Sequence, residues 1–454
     1  MAPAGPVPAA FEAAVAKVTG FPHVLAVASG TAALHLGYRI LGLTAGDEVW
    51  TATLTYVATI APAVQMGARP RFLDVAADSW TLDPELLERE LTRAARRGRL
   101  PRAVVPVDIF GQSCDLDAIR GLCDRWGVPV LCDSAEALGA MRRGRHAGLG
   151  ARLAAFSFNG NKIVTTGGGG ALASEDAGLI AEARHLATQA KEPAPHYQHE
   201  TTGFSYGLSS ILAAVGLAQL GVLPARVAAR RAIFEAYVAG LGDLPGIGFM
   251  PEPAWSRSTR WLSVVTLDPR RGGPDREAAR RALAEAGIEA RPVWKPLHLQ
   301  PVFRGAPQAG APSRRGCSST ACACRPAAGC RPPSRAGSSP PCAASGPADA
   351  VRILYLHQHF STREGATGTR SLAMAEALAA RGHAVTLACG QYAGAVSGLS
   401  GGFRRGRRKG MVGAVRVVEF AIPCGNAQGF AARARPSCAM RYAPAGWRWP
   451  ATGI

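Results

Sequence analysis

Up to about residue 305, short apolar runs of strand length alternate with amphipathic runs of helical length. His23–Val27 reads as a strand, Thr31–Leu43 as a helix and Glu48–Thr53 as a strand again. Tyr56–Met66 is helical in pattern, Arg71–Val75 is extended and Pro84–Arg97 is a charged amphipathic helix. Ala103–Ile109 reads as a strand, Asp115–Trp126 as a helix, and Pro129–Asp133 and Leu153–Phe158 as strands. Strands alternating with helices imply an α/β fold with a mainly parallel sheet covered on both faces. The rhythm then changes. Helical patterns cover roughly Ser174–Ala190 and Leu208–Leu241, followed by a strand at Trp261–Leu267, a helix at Asp275–Ala286 and a strand at Ile288–Val293. This predicts a large domain over residues 1–200 and a smaller α+β domain over 201–305.

Residues 306–350 have no apolar period. From Gly310 they are almost only Ala, Pro, Arg, Ser, Gly and Cys, a composition with nothing to bury and an expectation of disorder. A flexible linker is one reading, but linkers seldom carry five cysteines. The same six residue types are what GC-rich DNA encodes in a wrong reading frame, so a frame error is the preferred reading. Protein-like patterning returns at 351–434. Val351–Leu356 reads as a strand, Ser371–Arg381 as a helix and His383–Ala388 as a strand, the start of a βαβ unit. Over 435–454 the pattern is lost and an unstructured tail is expected.

Composition, 48% hydrophobic and 18% charged, is that of a globular protein. It excludes a collagen, a coiled coil and a wholly disordered chain. No apolar run approaches the ~20 residues that cross a bilayer, and Met1–Phe11 lacks the features of a signal peptide. A cytoplasmic protein without membrane insertion is expected. The net charge of +19 suggests a nucleic-acid partner until it is divided. Residues 311–454 hold 19 basic and 4 acidic side chains, a net +15, which leaves +4 for the first 310. Only Cys114, Cys123 and Cys132 precede residue 310, as suits a reducing compartment. The other eight cysteines show no zinc-ligand spacing, and no metal is expected.

The first segment carries four pieces of chemistry in chain order. Ala28-Ser-Gly-Thr-Ala-Ala33 lies between a strand and a helix, where free N–H groups and the helix dipole suit a phosphate. An ordinary helix cap is the other reading. Tyr56 follows a strand end and could stack on a planar ring or belong to the core. Asp133, in Leu131-Cys-Asp-Ser-Ala-Glu136, ends a strand at the carboxyl edge of the sheet. A carboxylate there either meets a cation, such as a protonated pyridine nitrogen, or caps the next helix. Lys162 ends Ser157-Phe-Asn-Gly-Asn-Lys162 and is followed by Gly167–Gly170. A lysine in a tight turn bracketed by apolar residues can form a Schiff base with an aldehyde. Together the pieces describe a pyridoxal 5'-phosphate site.

With SGTAAL, DSAEALGA, SFNGNK, TTGGGG and VWKPLHLQPVF in view, the chain over residues 3–305 resembles the DegT/DnrJ/StrS family of sugar aminotransferases. The resemblance implies the type I, aspartate-aminotransferase-like fold with a mainly parallel seven-stranded sheet. It also implies the site roles. Lys162 would form the Schiff base and move protons, and Asp133 would keep the pyridine nitrogen protonated. Tyr56 would stack on the ring, and Glu136 would sit near its hydroxyl. Gly30, Thr31 and Ser157 would hold the phosphate, with Ser205, where the family usually has Asn, reaching a neighbouring subunit's phosphate. Arg291, Lys295 and His298 would lie by the active site, where cations suit a nucleotide diphosphate. Solvated basic surface is the alternative for these three. His196 and His199 would line the sugar pocket or be loop histidines.

The resemblance further implies a homodimer that transfers an amino group, with glutamate as donor, to a nucleotide-linked keto sugar. The resemblance is to members that act on UDP-4-keto sugars, which implies a UDP-4-keto-6-deoxy sugar in polysaccharide biosynthesis. Set against the family, an initial strand and helix and the last element of the small domain are expected to be missing, the latter where 306–350 lies. Residues 351–434 resemble the start of a family-4-type glycosyltransferase, a partial Rossmann-like fragment without its donor domain. Within it the basic run Arg404–Lys409 reads as a solvated loop rather than a nucleic-acid patch. The alternative for the whole chain is an inactive chimaera of frame-shifted neighbouring genes.

Overall fold

The computed structural model describes residues 6–310, 321–324, 352–356, 362, 370–392, 396–404 and 406–424. They fall into two compact units, divided between residues 334 and 335.

The first unit opens with a helix the sequence reading did not anticipate, α1 (Val7–Thr19). Phe11, Val15 and Thr19 recur every four residues and are buried along one face, and Gly20 at φ 81° closes the helix onto Ala16 O. The sheet behind it comprises β1 (His23–Val27), β2 (Glu48–Ala52), β3 (Arg69–Leu73), β4 (Ala103–Val105), β5 (Leu131–Asp133), β6 (Leu153–Ser157) and β7 (Gly170–Ser174). The order is β1-β7-β6-β5-β4-β2-β3, with β4 and β5 joined by the bridges Val104↔Val130 and Val107↔Asp133. Only β7 is antiparallel, wedged between β1 and β6. Helix α2 (Gly30–Ile40) packs against the sheet, and α3 (Pro84–Arg96) and α4 (Leu116–Asp124) pack on each other.

Several boundaries differ from expectation, for physical reasons. Residues 170–174 form β7 and the following helix, α5 (Ala177–Ala187), starts only where Asp176 caps Gly178 N and Leu179 N. The long pattern over 208–241 is two helices, α6 (Ser210–Leu220) and α7 (Leu223–Leu241), bent by 60°. Pro224, with no N–H to give, fits the first turn of α7 but not a continuous helix. The expected helix over 56–66 is a 3-10 turn, Val57–Thr59, and one short helix, Ala61–Gln65.

The small domain's sheet holds β8 (Ile247–Phe249), β9 (Ser263–Leu267), β10 (Ala290–Pro292) and β11 (Ala321–Cys324), with α8 (Arg276–Glu285) packed on β10 and β11. Its order is β8-β9-β11-β10, antiparallel throughout. β11 lies inside the stretch expected to be without order. Backbone pairing on both sides gives those four residues a place that composition does not reveal. Gln308–Ala309 likewise pairs with β3 at the edge of the large sheet. The remainder of that stretch, 311–320 and 325–350, and the tail 435–454 lie outside the described residues.

The second unit contains β12 (Arg352–Leu356), α9 (Arg370–Ala379), β13 (Ala384–Tyr392), β14 (Arg407–Val412) and β15 (Val415–Cys424). β12, β13 and β15 are parallel, and β14 pairs antiparallel with β15, giving the order β12-β13-β15-β14. The basic run at 404–409 is therefore not simply a loop. Residues 407–409 belong to β14, and Arg408 Nε donates to buried Glu419 at 2.8 Å. Among the described residues no single helix is long and apolar enough to cross a membrane.

Candidate active site

The parallel strands deliver the expected pieces to one edge of the large sheet. β1 runs into Ser29 and the first turn of α2, β2 into residues 53–56, β5 into 133–136 and β6 into 157–162. Antiparallel β7 brings Gly170 to that same edge from the other direction.

Ser29 caps α2 by accepting a bond from Ala32 N at 3.0 Å. The first-turn N–H groups of Gly30 and Thr31 have no partner within the helix. Two glycines make the close approach possible. A Cβ on Gly30 would lie 2.9 Å from Ser157 Cβ, and one on Gly170 would lie 2.4 Å from the Ser29 carbonyl carbon. Gly30, Thr31 and Ser157 are thus brought together. Ala28 N donates to Tyr206 O at 2.7 Å, which lays residues 203–207 beside this turn. Ser205 itself is exposed.

Asp133 is 5% exposed. Its Oδ2 accepts from Thr59 Oγ1 at 2.7 Å and its Oδ1 from Ala135 N at 3.1 Å. Burial pushes its carboxyl above the usual range, opposed by those bonds and by the Lys162 charge. Its backbone is clamped as well. Asp133 N donates to Pro106 O, and Asp108 N donates to Asp133 O. Behind it lies fully buried Asp108, which accepts from Ser134 Oγ at 2.6 Å and Cys114 N at 2.8 Å. Burial pushes this carboxyl up too.

Lys162 Nζ donates to Glu136 Oε1 at 2.9 Å. The other carboxylate oxygen, Oε2, accepts from Phe110 N at 2.9 Å. Burial raises the Glu136 carboxyl, and the ammonium of Lys162 opposes that rise. Lys162 Nζ also lies 4.4 Å from the centroid of the Trp261 ring, whose Nε1 donates to Asn161 O. Two backbone segments cross beside this pair with left-handed residues. Phe110 has φ 56° and Arg260 φ 50°, and a Cβ on Gly111 would lie 2.4 Å from Thr259 Oγ1. Each left-handed non-glycine residue costs on the order of 1 kcal/mol, the kind of strain that collects at working sites.

Tyr56 is 56% exposed. Its ring is 5.6 Å from that of Trp294, which lies 4.9 Å from Phe110. The residues expected to meet substrate are more scattered. His298 Nδ1 bonds Thr53 Oγ1, which ties it to the loop that carries Tyr56. Lys295 is exposed one residue after Trp294. Arg291 stands on β10 with its side chain 77% exposed and its Nε 3.1 Å from Glu289. His199 Nδ1 bonds the carbonyls of Gln189 and Ala190, the arrangement of a loop histidine, and His196 is exposed.

Sequence reasoning missed Thr59, Phe110, Trp261 and Trp294. Thr59, three residues after Tyr56 on the same turn, was open to recognition. Trp261 was not, because it lies just before β9 of the small domain, some hundred residues further along the chain.

The model of the DegT/DnrJ/EryC1/StrS aminotransferase family matches residues 2–323. The chain belongs to that family. A protein of Bacillus subtilis (strain 168) named as the pyridoxal phosphate-dependent aminotransferase EpsN is 50% identical over 303 residues, 67% of this chain and 77% of its own. The GDP-perosamine synthase of Caulobacter vibrioides is 36% identical over 294 residues, 64% of this chain and 77% of its own. Among solved structures, DesV of S. venezuelae in complex with a ketimine intermediate has a TM-score of 0.64 at 32% identity, covering 71% of this chain and 84% of that one. DegT/DnrJ/EryC1/StrS aminotransferases depend on pyridoxal phosphate and have the type I fold. The family match reaches into β11, past the boundary at residue 305 read from the sequence.

Proposed function

We propose that this chain transfers an amino group from glutamate to a nucleotide-linked keto sugar, a UDP-4-keto-6-deoxy sugar, as a cytoplasmic homodimer. The observation that carries the reading is the Lys162–Glu136 pair, 2.9 Å apart, on the same sheet edge as the glycine cradle and buried Asp133. These residues fit pyridoxal 5'-phosphate. The absence of a Cβ on Gly30 and Gly170 lets the first turn of α2 lie against Ser157 and β7, which gathers helix N–H groups and a hydroxyl as a phosphate needs, and Asp133 is a buried carboxylate suited to a protonated ring nitrogen.

When bound, the cofactor supplies an electron sink for the carbon from which a proton is removed. The chain's own residues do the rest. The turn at Gly30 and Thr31 and the hydroxyl of Ser157 bind the phosphate. Ser205 is exposed on the adjoining segment, where it is open to a second subunit. Asp133 holds a proton on the pyridine nitrogen. Tyr56 covers the ring and Glu136 orients Lys162. Lys162 takes a proton at Nζ and returns it to the neighbouring carbon, and Glu136 can accept the proton that the ammonium must lose before it acts as a nucleophile. Trp294 and Phe110 exclude water. Lys295 and His298, on the segment that packs over residues 53–56, face the incoming diphosphate and sugar. Arg291 is exposed beside Glu289, and His199 is held by the Gln189 and Ala190 carbonyls.

The test is the visible absorbance of the purified chain mixed with pyridoxal phosphate. A band that bleaches with glutamate and is absent from Lys162→Ala is expected. A band that persists in the variant would sink the assignment of Lys162.

The composition of 306–350 favours a second reading for the rest of the chain. Its part beyond β11, past the family match that ends at residue 323, is a frame-shift junction, and the parallel β12-α9-β13 arrangement is the start of a glycosyltransferase that cannot transfer sugar. Resequencing the DNA decides this, since an intact single frame would remove its basis. Were the junction also to unfold the small domain, the product would be an inactive chimaera with no glutamate-sensitive band.

A further inference from the structure

We propose that Thr59 is a positioning residue for this reaction, its hydroxyl fixing the Asp133 carboxylate in its ionised form against the cofactor's ring nitrogen. The inference rests on the cofactor reading above and goes beyond it, since Thr59 is not among the residues that reading uses.

Thr55, Thr59 and Asp133 are each buried, at 1%, 1% and 5% exposure, so bulk water cannot replace a lost bond. A hydroxyl has one proton to give. Thr59 spends it on Asp133 Oδ2, at 2.7 Å. The 2.7 Å contact between the two threonine hydroxyls must then run from Thr55 to Thr59. The result is a polarised chain, Thr55 to Thr59 to carboxylate, in which each bond strengthens the next. Thr59 is itself held in place, because Tyr38 Oη donates to its carbonyl and its N–H donates to Tyr56 O. The same turn thus sets both the ring-stacking Tyr56 and the donor to Asp133.

The charge balance around Asp133 gives this hydroxyl its importance. Burial and the buried carboxyl of Asp108 favour the neutral acid, with Glu136 and the thiol of Cys132 close by. Thr59, Ala135 N–H and Lys162 favour the anion, and of these the Thr59 hydroxyl bonds Oδ2 at 2.7 Å while Ala135 N bonds Oδ1 at 3.1 Å. The phenol of Tyr38 stays neutral, because burial and the Asp133 charge both push its ionisation up.

The experiment compares the full-length holoenzymes of wild type, Thr59→Val, Thr59→Ser and Thr55→Val. Pyridoxal phosphate affinity is measured by fluorescence titration, and the pH midpoint of the visible band by absorbance. Loss of a buried bond to a charged group weakens cofactor affinity at least about tenfold in Thr59→Val. A ring nitrogen that keeps less positive charge repels other protons on the same conjugated system less, so the band's midpoint rises by about a unit. Thr59→Ser restores both values, and Thr55→Val moves both part of the way. Unchanged affinity and midpoint in Thr59→Val overturn the proposal while leaving the cofactor assignment intact. Failure of serine to restore them overturns it as well, because the effect then lies in packing of the methyl group. If Thr59→Val does not fold, an unshifted midpoint in Thr55→Val overturns it. A wild-type chain without any band overturns this proposal together with the proposed function.

Discussion

Burying a titratable side chain makes its ionisation a folding event, and His146 is the clearest case here. Its ring is 4% exposed, one nitrogen accepts from Gly139 N at 2.8 Å and the other donates to Ala147 O. Burial lowers its pKa from the usual 6.5 to about 4. The folded pKa is depressed, so the stability it confers is complete above pH 6.5 and is lost as the pH falls towards 4. About 3 kcal/mol should disappear across that window. Urea unfolding between pH 7 and 4 should show a shallower slope for His146→Gln than for wild type. Asp108 works in the opposite sense. Its folded pKa is raised, so its contribution is present below the unfolded value of about 4 and is lost as the pH rises through the folded one. Asp108→Asn should therefore gain on wild type as pH increases from 4 to 8, read from the same unfolding curves. A variant losing ground over that range would show that Asp108 keeps a full charge with adequate partners.

At the scale of elements, close contacts between backbones decide what a substitution does. Gly216 in α6 meets α1, and a Cβ there would lie 2.4 Å from the ring of Phe11. Alanine is the better helix former by roughly 1 kcal/mol. Gly216→Ala should nevertheless destabilise by about 1–3 kcal/mol, because the Phe11 ring is itself packed edge-on against Phe158 at 5.1 Å and cannot yield freely. A chemical denaturation midpoint above that of wild type would refute this. The same logic explains which elements were legible in the sequence. β1 and α3 were readable almost to the residue, because their apolar periods are local and Asp83 caps α3. β7 was not, because Gly-Ala-Leu-Ala-Ser has no strong strand former and is a strand only by lying between β1 and β6. The active-site pieces on strand ends were legible for the complementary reason. A Gly-containing cap, a terminal Asp and a lysine in a tight turn declare their chemistry without tertiary help. Thr59, Phe110 and Trp261 needed the fold to bring them in.

At the scale of the whole molecule, the two compact units make a prediction about length. A chain ending after residue 324 should keep the visible cofactor band at the full-length intensity, whereas one ending at residue 310 should lose most of it. The second cut removes the strand that joins β9 to β10 and leaves two edges of a small sheet unpaired. Equal bands from both truncations would make β11 dispensable. Proteolysis of the intact chain should release a protected fragment ending beyond residue 324 rather than near 305.

That strand also dictates an order of events during synthesis. β8, β9 and β10 have all left the ribosome before Ala321–Cys324 emerges to fill the gap between β9 and β10. The large domain, whose β1 to β7 are all in place by residue 174 with only the edge pairing of Gln308–Ala309 to follow, can assemble early. The small domain must wait with exposed edges until four residues of alanine and cysteine arrive. Any event that slows or diverts translation between residues 293 and 324 would therefore yield a nascent chain with a finished cofactor cradle beside a half-built sheet, open to pairing with the wrong strand.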